Sequence, residues 1–398
     1  MDITIHPGKL SGTIRAIASK SQAHRLLICA AFSDAKTELF CENTNQDIDA
    51  TVSCLQALGA SIVRAQTGYV VTPICQIPEN AQIDCSESGS TLRFLLPIVC
   101  ALGIQTTIHM HGRLPYRPLS PLWEELERMG CQLSRPAETI IQTQGKLIAG
   151  EYTIAGNVSS QFISGLLFAL PLLDGESRIR ITGSLESKPY VDMTQQALRQ
   201  FGVNTEHYVV TKSFPFSSPG KLRVEGDWSN AAFFLVANAL GSNIEIENLN
   251  RNSPQGDKSV VDLLSTGIFA PTIDVSNIPD LVPILAVYYA AHGGVVFKNI
   301  ERLRLKESDR VQSVINLLRT LGIGAYADDN TLTVCGGNLS GGVVDSCNDH
   351  RIAMAAAIAA TVAEAPVTIL GADCVKKSYP AFWQDFRTLG GCYEQYLR

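Results

Sequence analysis

Length, composition and charge restrict what this chain can be. Its 398 residues exceed the usual size of one hydrophobic core, so we expect two domains. A hydrophobic content of 45% with only 18% charged residues excludes intrinsic disorder, and the formal net charge of −6 argues against nucleic acid or an anionic membrane as a partner.

The cysteines and the N-terminus indicate the compartment. The chain has 11 cysteines, an odd number without C-x-x-C spacing, and they stand among apolar residues as reduced thiols do. The first residues, Met1 to Thr4, show no basic region followed by an apolar stretch, and no apolar run is long enough for a convincing membrane span. These features predict a cytoplasmic protein.

Six apolar helices, each opened by a polar residue, follow one another along the chain. They begin near Ser21, Ser90, Ser160, Ser229, Asp280 and Asp349. Four of the five intervals between these starting points are about 70 residues long, and only the step from Ser229 to Asp280 is shorter. Because each segment is rich in Ala and Leu on all sides, we expect buried helices.

A second, amphipathic helix follows each buried one and ends at a glycine. These glycines are Gly59, Gly130, Gly202, Gly267, Gly322 and Gly390. Short β-branched runs between the helices predict strands, as at 105–109, 177–182, 243–248 and 366–370. Each unit therefore combines strands with one buried helix and one surface helix.

Six such units predict an α/β fold of two domains, with three units and a set of parallel buried helices in each. The shorter interval between the third and fourth units predicts that the chain crosses from one domain to the other at 221–228. A first strand lies before the first full unit, which predicts the other crossing at 16–19. The predicted domains are 1–19 plus 225–398, which carries both termini, and 20–224.

Parallel buried helices would gather their N-termini at one surface, where free N–H groups attract anions. The residues at these starts are of types that bind phosphate and carboxylate. They are Lys20, Ser21 and Arg25, then 88–91 with Arg93, then 159–161, then 348–351. We found no nucleotide loop, dinucleotide fingerprint, metal-ligand spacing or Gly-x-Ser-x-Gly elbow, so we expect neither cofactor nor metal.

An ordered set of motifs resembles the 5-enolpyruvylshikimate-3-phosphate synthase family of enolpyruvyl transferases. The matching segments are 20–25 (KSQAHR), 87–93 (ESGSTLR), 116–119, 159–161, 187–190, 274–280, 305–310 (LKESDR), 348–351 (NDHR) and 376–380. The resemblance covers nearly the whole chain. It implies two domains of three βαβαββ units each (an inverse α/β barrel), a two-stranded hinge and a ligand cleft between them.

The resemblance also implies an activity: transfer of the enolpyruvyl group of phosphoenolpyruvate to the 5-hydroxyl of shikimate 3-phosphate, with release of phosphate. Catalysis would rest on Asp280, Glu307 and Lys20, with the division of proton transfers between Glu307 and Lys20 open. Shikimate 3-phosphate would be bound by Lys20, Ser21, Arg25, Ser159, Ser160, Gln161, Ser187, Tyr190, Asp280 and Lys306. Phosphoenolpyruvate would be bound by Lys20, Gly89, Arg117, Gln161, Arg310, Arg351 and Lys377.

Some residues depart from the family pattern or have a simpler explanation. Arg302 stands where many relatives carry Asn, so no substrate contact is carried over to it. Gly89 is retained although its neighbours differ, which indicates that glyphosate can enter as an inhibitor. Asp280 and Asp349 could serve only as helix caps, and Asp309 could simply pair with Arg310.

Three alternatives stay open. The sister enzyme that acts on UDP-N-acetylglucosamine has Lys-Asn at the position of Lys20-Ser21, and it usually carries a reactive Cys in the loop that here spans 110–117. RNA 3′-phosphate cyclases use a related repeat but need a nucleophilic His and a basic surface. A non-catalytic module that binds phosphorylated ligands is the third. We expect a monomer.

Overall fold

The computed structural model describes residues 1–265 and 271–396. Short strands alternate with helices throughout these two stretches. None of the helices there combines the length and the apolar character needed to cross a bilayer.

The strands are β1 Asp2–Ile5, β2 Ser11–Arg15, β3 Thr37–Phe40, β4 Ser61–Ala65, β5 Gly68–Thr72, β6 Asn80–Asp84, β7 Gln105–His109, β8 Cys131–Ala137, β9 Ile140–Gly145, β10 Glu151–Ala155, β11 Glu176–Thr182, β12 Val209–Thr211, β13 Lys221–Arg223, β14 Asn243–Glu247, β15 Thr272–Asp274, β16 Gly294–Lys298, β17 Ala325–Ala327, β18 Thr331–Cys335, β19 Gly342–Asp345, β20 Val367–Leu370 and β21 Tyr393–Tyr396. The α-helices are α1 Lys20–Ala31, α2 Gln46–Ala57, α3 Gly89–Leu102, α4 Leu122–Arg128, α5 Ser160–Ala169, α6 Lys188–Gln200, α7 Trp228–Ala239, α8 Val260–Ser265, α9 Val282–Ala290, α10 Arg310–Thr320, α11 His350–Ala360 and α12 Phe382–Thr388.

The chain divides into two compact units, and each is described by itself. The terminal unit comprises Met1–Ile17 and Gly226–Arg398, and the central unit comprises Ala18–Glu225. The sheets of the central unit have the strand orders β13-β3-β5-β4, β6-β7-β9-β8 and β10-β11-β12. In the described part of the terminal unit the orders are β19-β20-β1-β21, β14-β2 and β15-β16-β18-β17.

A parallel pair of strands lies in each of these sheets, and in four of them a buried helix connects the pair. These connections are β6-α3-β7, β10-α5-β11, β15-α9-β16 and β19-α11-β20. A second helix and antiparallel strands follow, so that the order around α3 and around α9 is βαβαββ. The α/β class and its repeat are therefore confirmed.

The two remaining parallel pairs show an exchange of strands. Strand β2 precedes α1 in the chain but pairs with β14, which follows α7. Strand β13 precedes α7 but pairs with β3, which follows α1. The chain thus leaves one unit for the other after Ile17 and again after Glu225.

The buried helices start where the sequence predicts, with one informative exception. Five begin at Lys20, Gly89, Ser160, Trp228 and His350, within a residue of the expected positions. The sixth, α9, begins only at Val282, and its N-cap position is occupied by Leu281 rather than by Asp280. The interpretation of Asp280 as a helix cap is therefore wrong, whereas Asp349 does cap α11 by accepting from the N–H of Arg351.

Close approach of two buried helices positions one part of the site. A Cβ atom at Gly165 of α5 would lie 2.2 Å from the carbonyl oxygen of Arg93 in α3, so only glycine allows this packing. Both helices are almost wholly buried along their length. Their first turns therefore lie side by side.

Glycines end the second helices, as predicted. Gly59, Gly130, Gly202, Gly322 and Gly390 have φ angles of 106°, 111°, 77°, 82° and 92°, a left-handed conformation that favours glycine after a helix. Gly267, predicted to end the fourth such helix, lies outside the described residues.

Candidate functional site

In the central unit, the predicted ligand-binding residues stand at the starts of four helices. Lys20, Gly89 and Ser160 are the first residues of α1, α3 and α5, and Ser187 immediately precedes α6. We call the following set the Lys20 cluster: Lys20, Ser21, Arg25, Gly89, Arg93, Arg117, Ser159, Ser160, Gln161, Ser187 and Tyr190. Its hydroxyl, amide and cationic groups are suited to phosphate and carboxylate.

Arg25 is buried and connects α1 with α6. Its Nε donates to Thr194 Oγ1 at 2.7 Å, its Nη2 to the carbonyl of Tyr190 at 2.8 Å and its Nη1 to the carbonyl of Ser21 at 2.5 Å. The guanidinium also lies 5.0 Å from the ring centroid of Phe94 in α3. Burial lowers the pKa of Arg25 to about 10, so it remains charged at neutral pH. Since each of its three nitrogens has a protein acceptor, Arg25 orders Ser21 and Tyr190.

Gln161 and Arg93 connect α5 with α3. Arg93 Nη1 donates to Gln161 Oε1 at 2.9 Å, and Gln161 Nε2 donates to Ser90 Oγ at 2.9 Å. A Cβ at Gly89 would lie 2.7 Å from Arg93 Nη1 and 2.8 Å from Arg117 Nη1. Glycine at this position therefore lets two guanidinium groups approach the first turn of α3.

The serines predicted to bind phosphate have distinct surroundings. Ser159 caps α5, because its hydroxyl accepts from the N–H of Gln161 at 3.3 Å. Ser160 is buried at the first position of that helix. Ser187 is buried with a φ of 53°, a left-handed conformation that is unusual for a residue other than glycine.

Lys20 has a partner that the sequence analysis missed. Its Nζ lies 2.8 Å from Oδ2 of Asp47, in the first turn of α2, and the two side chains are only 15% and 17% exposed. A carboxylate at the N-terminus of an amphipathic helix is an ordinary signal of helix stability. Only the tertiary fold distinguishes Asp47 from the many other carboxylates with that signal.

In the terminal unit, charged residues from three loops, two α-helix starts and the end of the 3-10 helix Ala372–Lys377 form a second group. We call it the Asp280 cluster: Asp280, Lys306, Glu307, Arg310, Asp349, Arg351 and Lys377. As defined, it contains four cations and three carboxylates. Every residue predicted to act from this unit belongs to it.

Asp280 stands among three cations. Its Oδ1 accepts from Arg310 Nη1 at 2.8 Å and lies 3.5 Å from Lys306 Nζ, and its Oδ2 accepts from Arg351 Nη2 at 3.0 Å. Burial opposes ionisation of this carboxyl, but Arg351, Lys306 and Arg310 outweigh it and hold its pKa well below the ordinary value. Asp280 is therefore an anion at neutral pH.

Arg310 is wholly buried and joins three carboxylates. Besides Asp280 it donates from Nη2 to Glu307 Oε2 at 2.6 Å and from Nε to Asp349 Oδ2 at 3.0 Å. Asp349 therefore acts both as a cap and as a partner of Arg310. Asp309 instead caps α10, because its Oδ1 accepts from the N–H of Gln312, and its Oδ2 lies 3.7 Å from Arg304 Nη1. These contacts replace the expected pairing of Asp309 with Arg310.

Two lysines complete the Asp280 cluster. Burial lowers the pKa of Lys306 to about 8, although Asp280 favours its charged form. Lys377 is buried and donates from Nζ to the carbonyl of Asn348 at 3.0 Å. Lys306 can therefore exchange a proton within a moderate pH range.

Comparisons with known proteins agree on one family. The family model described as EPSP synthase (3-phosphoshikimate 1-carboxyvinyltransferase) matches residues 5–269 and 265–386. A 3-phosphoshikimate 1-carboxyvinyltransferase of Clostridium beijerinckii is 39% identical, with 99% of each chain covered. One of Clostridium acetobutylicum is 40% identical, covering 98% of this chain and 97% of the relative.

Solved structures show the same fold. An EPSP synthase from Acinetobacter baumannii superposes with a TM-score of 0.80 at 24% identity, with 99% of each chain covered. The enolpyruvyl transferase NikO from Streptomyces tendae gives a TM-score of 0.77 at 16% identity, covering 99% of this chain and 98% of that one. On the family model and the full-length relatives, the chain belongs to the EPSP synthase family.

Proposed function

We propose that this chain is a 3-phosphoshikimate 1-carboxyvinyltransferase. It transfers the enolpyruvyl group of phosphoenolpyruvate to the 5-hydroxyl of shikimate 3-phosphate, a step of the shikimate pathway toward aromatic amino acids, and releases phosphate. The observation that carries the proposal is the contact of one carboxylate, Asp280, with Lys306, Arg310 and Arg351. A reaction between two anionic substrates needs such a combination of base and cations.

The Lys20 cluster supplies the groups that hold shikimate 3-phosphate. We assign its phosphate to the hydroxyls of Ser159, Ser160 and Ser187, with Lys20, Ser21, Gln161 and Tyr190 around the rest of the molecule. The N-terminus of α5, at Ser160, adds the partial positive charge of a helix start. Arg25 contributes through Ser21 and Tyr190, whose carbonyls it binds.

Phosphoenolpyruvate carries a carboxylate and a phosphate close together, so it needs several cations. We assign it to Lys20, Gly89, Arg117 and Gln161 of the central unit and to Arg310, Arg351 and Lys377 of the terminal unit. Guanidinium groups suit both anionic groups because each can donate two parallel hydrogen bonds. The close approach of the Arg93 and Arg117 guanidinium groups to the position that a Cβ at Gly89 would occupy supports its place in this set.

Asp280 is the base that we assign to the 5-hydroxyl. It binds Arg310 and Arg351, and these cations make it a weak base. An anionic substrate competes for both guanidinium groups, so its binding raises the pKa of Asp280 and strengthens the base where it is needed. Lys306 stays beside the carboxylate and contacts the same hydroxyl.

The remaining proton transfers occur at C3 of the enolpyruvyl group. Addition of the hydroxyl to C2 requires a proton at C3, and loss of phosphate from the tetrahedral intermediate requires removal of a C3 proton. Glu307 and Lys20 are the candidates. Glu307 is bound to Arg310 and Lys20 to Asp47, so each has a partner that stabilises its charged form.

The decisive experiment measures phosphate release from phosphoenolpyruvate with shikimate 3-phosphate, and in parallel with UDP-N-acetylglucosamine. Turnover with the first acceptor alone is expected. No turnover, or turnover with the second acceptor only, would overturn the proposal. The monomeric state, the cytoplasmic location and inhibition by glyphosate stay predictions.

A further inference from the structure

Two hydrogen-bonded pairs of side chains join α1 to α2 in the central unit. Lys20 Nζ lies 2.8 Å from Asp47 Oδ2, and His24 Nδ1 lies 2.7 Å from Thr51 Oγ1. On each helix the two residues stand about one turn apart, so they share one face. The pair of His24 and Thr51 is wholly buried, and the proposed mechanism does not use it.

The buried pair continues into α3. Thr51 Oγ1 lies 2.6 Å from Thr91 Oγ1, and Thr91 Oγ1 donates to Ser88 Oγ at 2.7 Å. Ser88 caps α3, because its hydroxyl also accepts from the N–H of Thr91 at 3.3 Å. We call the four buried side chains of His24, Thr51, Thr91 and Ser88 the His24 chain. It runs from α1, across α2, to the residue before Gly89.

The hydrogen bonds of the His24 chain all point in one direction. A hydroxyl group has a single proton to donate. Since Thr91 donates its proton to Ser88, Thr51 donates to Thr91, and His24 donates to Thr51 from Nδ1. The Nε2 atom of His24 is buried and has no hydrogen-bond partner among the residues that the structure describes, so a second proton there would be costly.

The surroundings of His24 also favour its neutral form. Burial, and then the positive charges of Lys20 and Arg25, hold the pKa of His24 well below the ordinary value. A neutral imidazole adds no positive charge that would repel Lys20, one turn away in α1. His24 can therefore donate from Nδ1 without changing the charge of the Lys20 cluster.

We propose that His24, Thr51 and Thr91 are positioning residues that hold the first turns of α1 and α3 in place against α2. On α1 and α2 the chain keeps Asp47 beside Lys20, and on α3 it holds the cap that precedes Gly89. We take the ligand of these two turns, phosphoenolpyruvate, from the proposed function, on which this inference rests. The direction of the hydrogen bonds does not depend on that function.

Substitutions of Thr51 separate its hydroxyl from its shape. Thr51→Val removes the hydroxyl at nearly constant volume, whereas Thr51→Ser keeps it. In steady-state phosphate release we expect kcat/KM for phosphoenolpyruvate to fall about tenfold in Thr51→Val, chiefly through KM, because two substrate-binding turns lose their link. Thr51→Ser should restore kcat/KM to within about twofold of the wild type, since it can make the same hydrogen bonds.

Thr143→Val is the matched control for a purely structural effect. The buried hydroxyl of Thr143 also makes two hydrogen bonds, to the carbonyl of Ile104 at 3.0 Å and from the N–H of Thr106 at 3.1 Å. Both valine variants should unfold at a lower temperature than the wild type. Only Thr51→Val should raise the KM for phosphoenolpyruvate.

Nitrogen NMR of histidine-labelled protein tests the direction of the chain without any substrate. We expect the ring proton of His24 on Nδ1 in the wild type, with the signal identified by its absence in His24→Gln. Thr51→Val removes the acceptor of that proton and should shift the signal, whereas Thr143→Val should not. A proton on Nε2 instead of Nδ1 in the wild type would overturn the inference.

Equal KM values in the wild type and Thr51→Val would also overturn it, as would a KM in Thr51→Ser as high as in Thr51→Val. If the wild type releases no phosphate, the proposed function fails by itself, and calorimetric affinity for inorganic phosphate takes the place of KM. Equal affinities in the wild type and Thr51→Val would then contradict the positioning role. If Thr51→Val does not fold, Thr91→Val and Thr91→Ser replace the pair, with the same expected results.

Discussion

Arg310 donates a hydrogen bond of 2.8 Å to Asp280 from a position that is wholly buried in the terminal unit. The two residues stand 30 positions apart in the chain, and the contact joins the loop before α9 to the first residue of α10. This contact stabilises the ionised form of Asp280, the proposed base. It also orients Arg310, which we propose binds phosphoenolpyruvate.

Asp280→Asn tests the base. We expect the turnover number to fall about 10²–10⁴-fold, because an amide cannot accept the proton of the attacking hydroxyl. Steady-state phosphate release measures it. Asp329→Asn, an exposed carboxylate of the same unit, is the control and should keep wild-type turnover. Turnover within a few-fold of the wild type in Asp280→Asn would exclude Asp280 as the base.

Arg310→Met tests what holds the cluster together. Removal of the guanidinium leaves the fully buried Asp349 without its Arg310 contacts, and we expect a loss of about 3–5 kcal/mol in the free energy of unfolding. Urea denaturation measures this loss, with Arg319→Met as the control because Arg319 is an exposed residue of the same helix. Equal midpoints for both variants would show that the buried ion pairs contribute no stability.

Lys306 should determine how activity changes above neutral pH. Its pKa of about 8 is below the ordinary value, so the ammonium group is lost as the pH rises through 8. We expect kcat/KM for shikimate 3-phosphate to decline above that pH in the wild type and to persist to higher pH in Lys306→Arg, because a guanidinium remains charged. Lys298→Arg, at an exposed position, should leave the profile unchanged. If kcat/KM declined identically in the wild type, Lys306→Arg and Lys298→Arg, the decline would belong to a titratable group other than Lys306.

Lys20→Ala should lose most activity while the fold survives. The Nζ atom of Lys20 is a proposed ligand of both substrates, whereas its loss leaves Asp47 partly exposed and able to bind water. Phosphate release and thermal unfolding measure the two properties. Lys188→Ala removes an exposed lysine paired with Asp192 and serves as the control. Near-normal turnover in Lys20→Ala would remove this lysine from the mechanism.

Gly89→Ala should weaken the binding of phosphoenolpyruvate. The new methyl group would lie 2.7 Å and 2.8 Å from nitrogens of Arg93 and Arg117, so at least one guanidinium must move. We expect the KM for phosphoenolpyruvate to rise about tenfold or more, with a smaller change in kcat, since a displaced ligand costs at least one charge-assisted hydrogen bond. Gly8→Ala, where a Cβ meets no atom within 4 Å, should leave both constants unchanged. An unchanged KM in Gly89→Ala would show that the guanidinium groups of Arg93 and Arg117 can move without weakening the binding of phosphoenolpyruvate.

The sequence predicted the repeat, the buried helices and most of the helix starts because these depend on local patterns. Apolar residues on all sides of α3, α5 and α11 predict that these helices are buried. A glycine after the last turn of a helix predicts the positive φ with which the helix ends. The motifs that resemble the family lie at these starts. The sequence therefore also placed the proposed anion-binding groups at helix starts.

Contacts between distant segments were decided only by the tertiary structure. The pairing of β2 with β14 and of β13 with β3 depends on which strand completes each sheet, and nothing local to either strand encodes the exchange. The partnership of Lys20 with Asp47 and the location of Asp257 beside Ser229 likewise require the folded chain. Asp280 is the clearest case. The sequence predicted either a functional acid or a helix cap, whereas the structure places its carboxylate beside Arg310, Arg351 and Lys306, which keep it ionised. The protonation state of a buried group depends on its neighbours in space, and these are known only once the chain is folded.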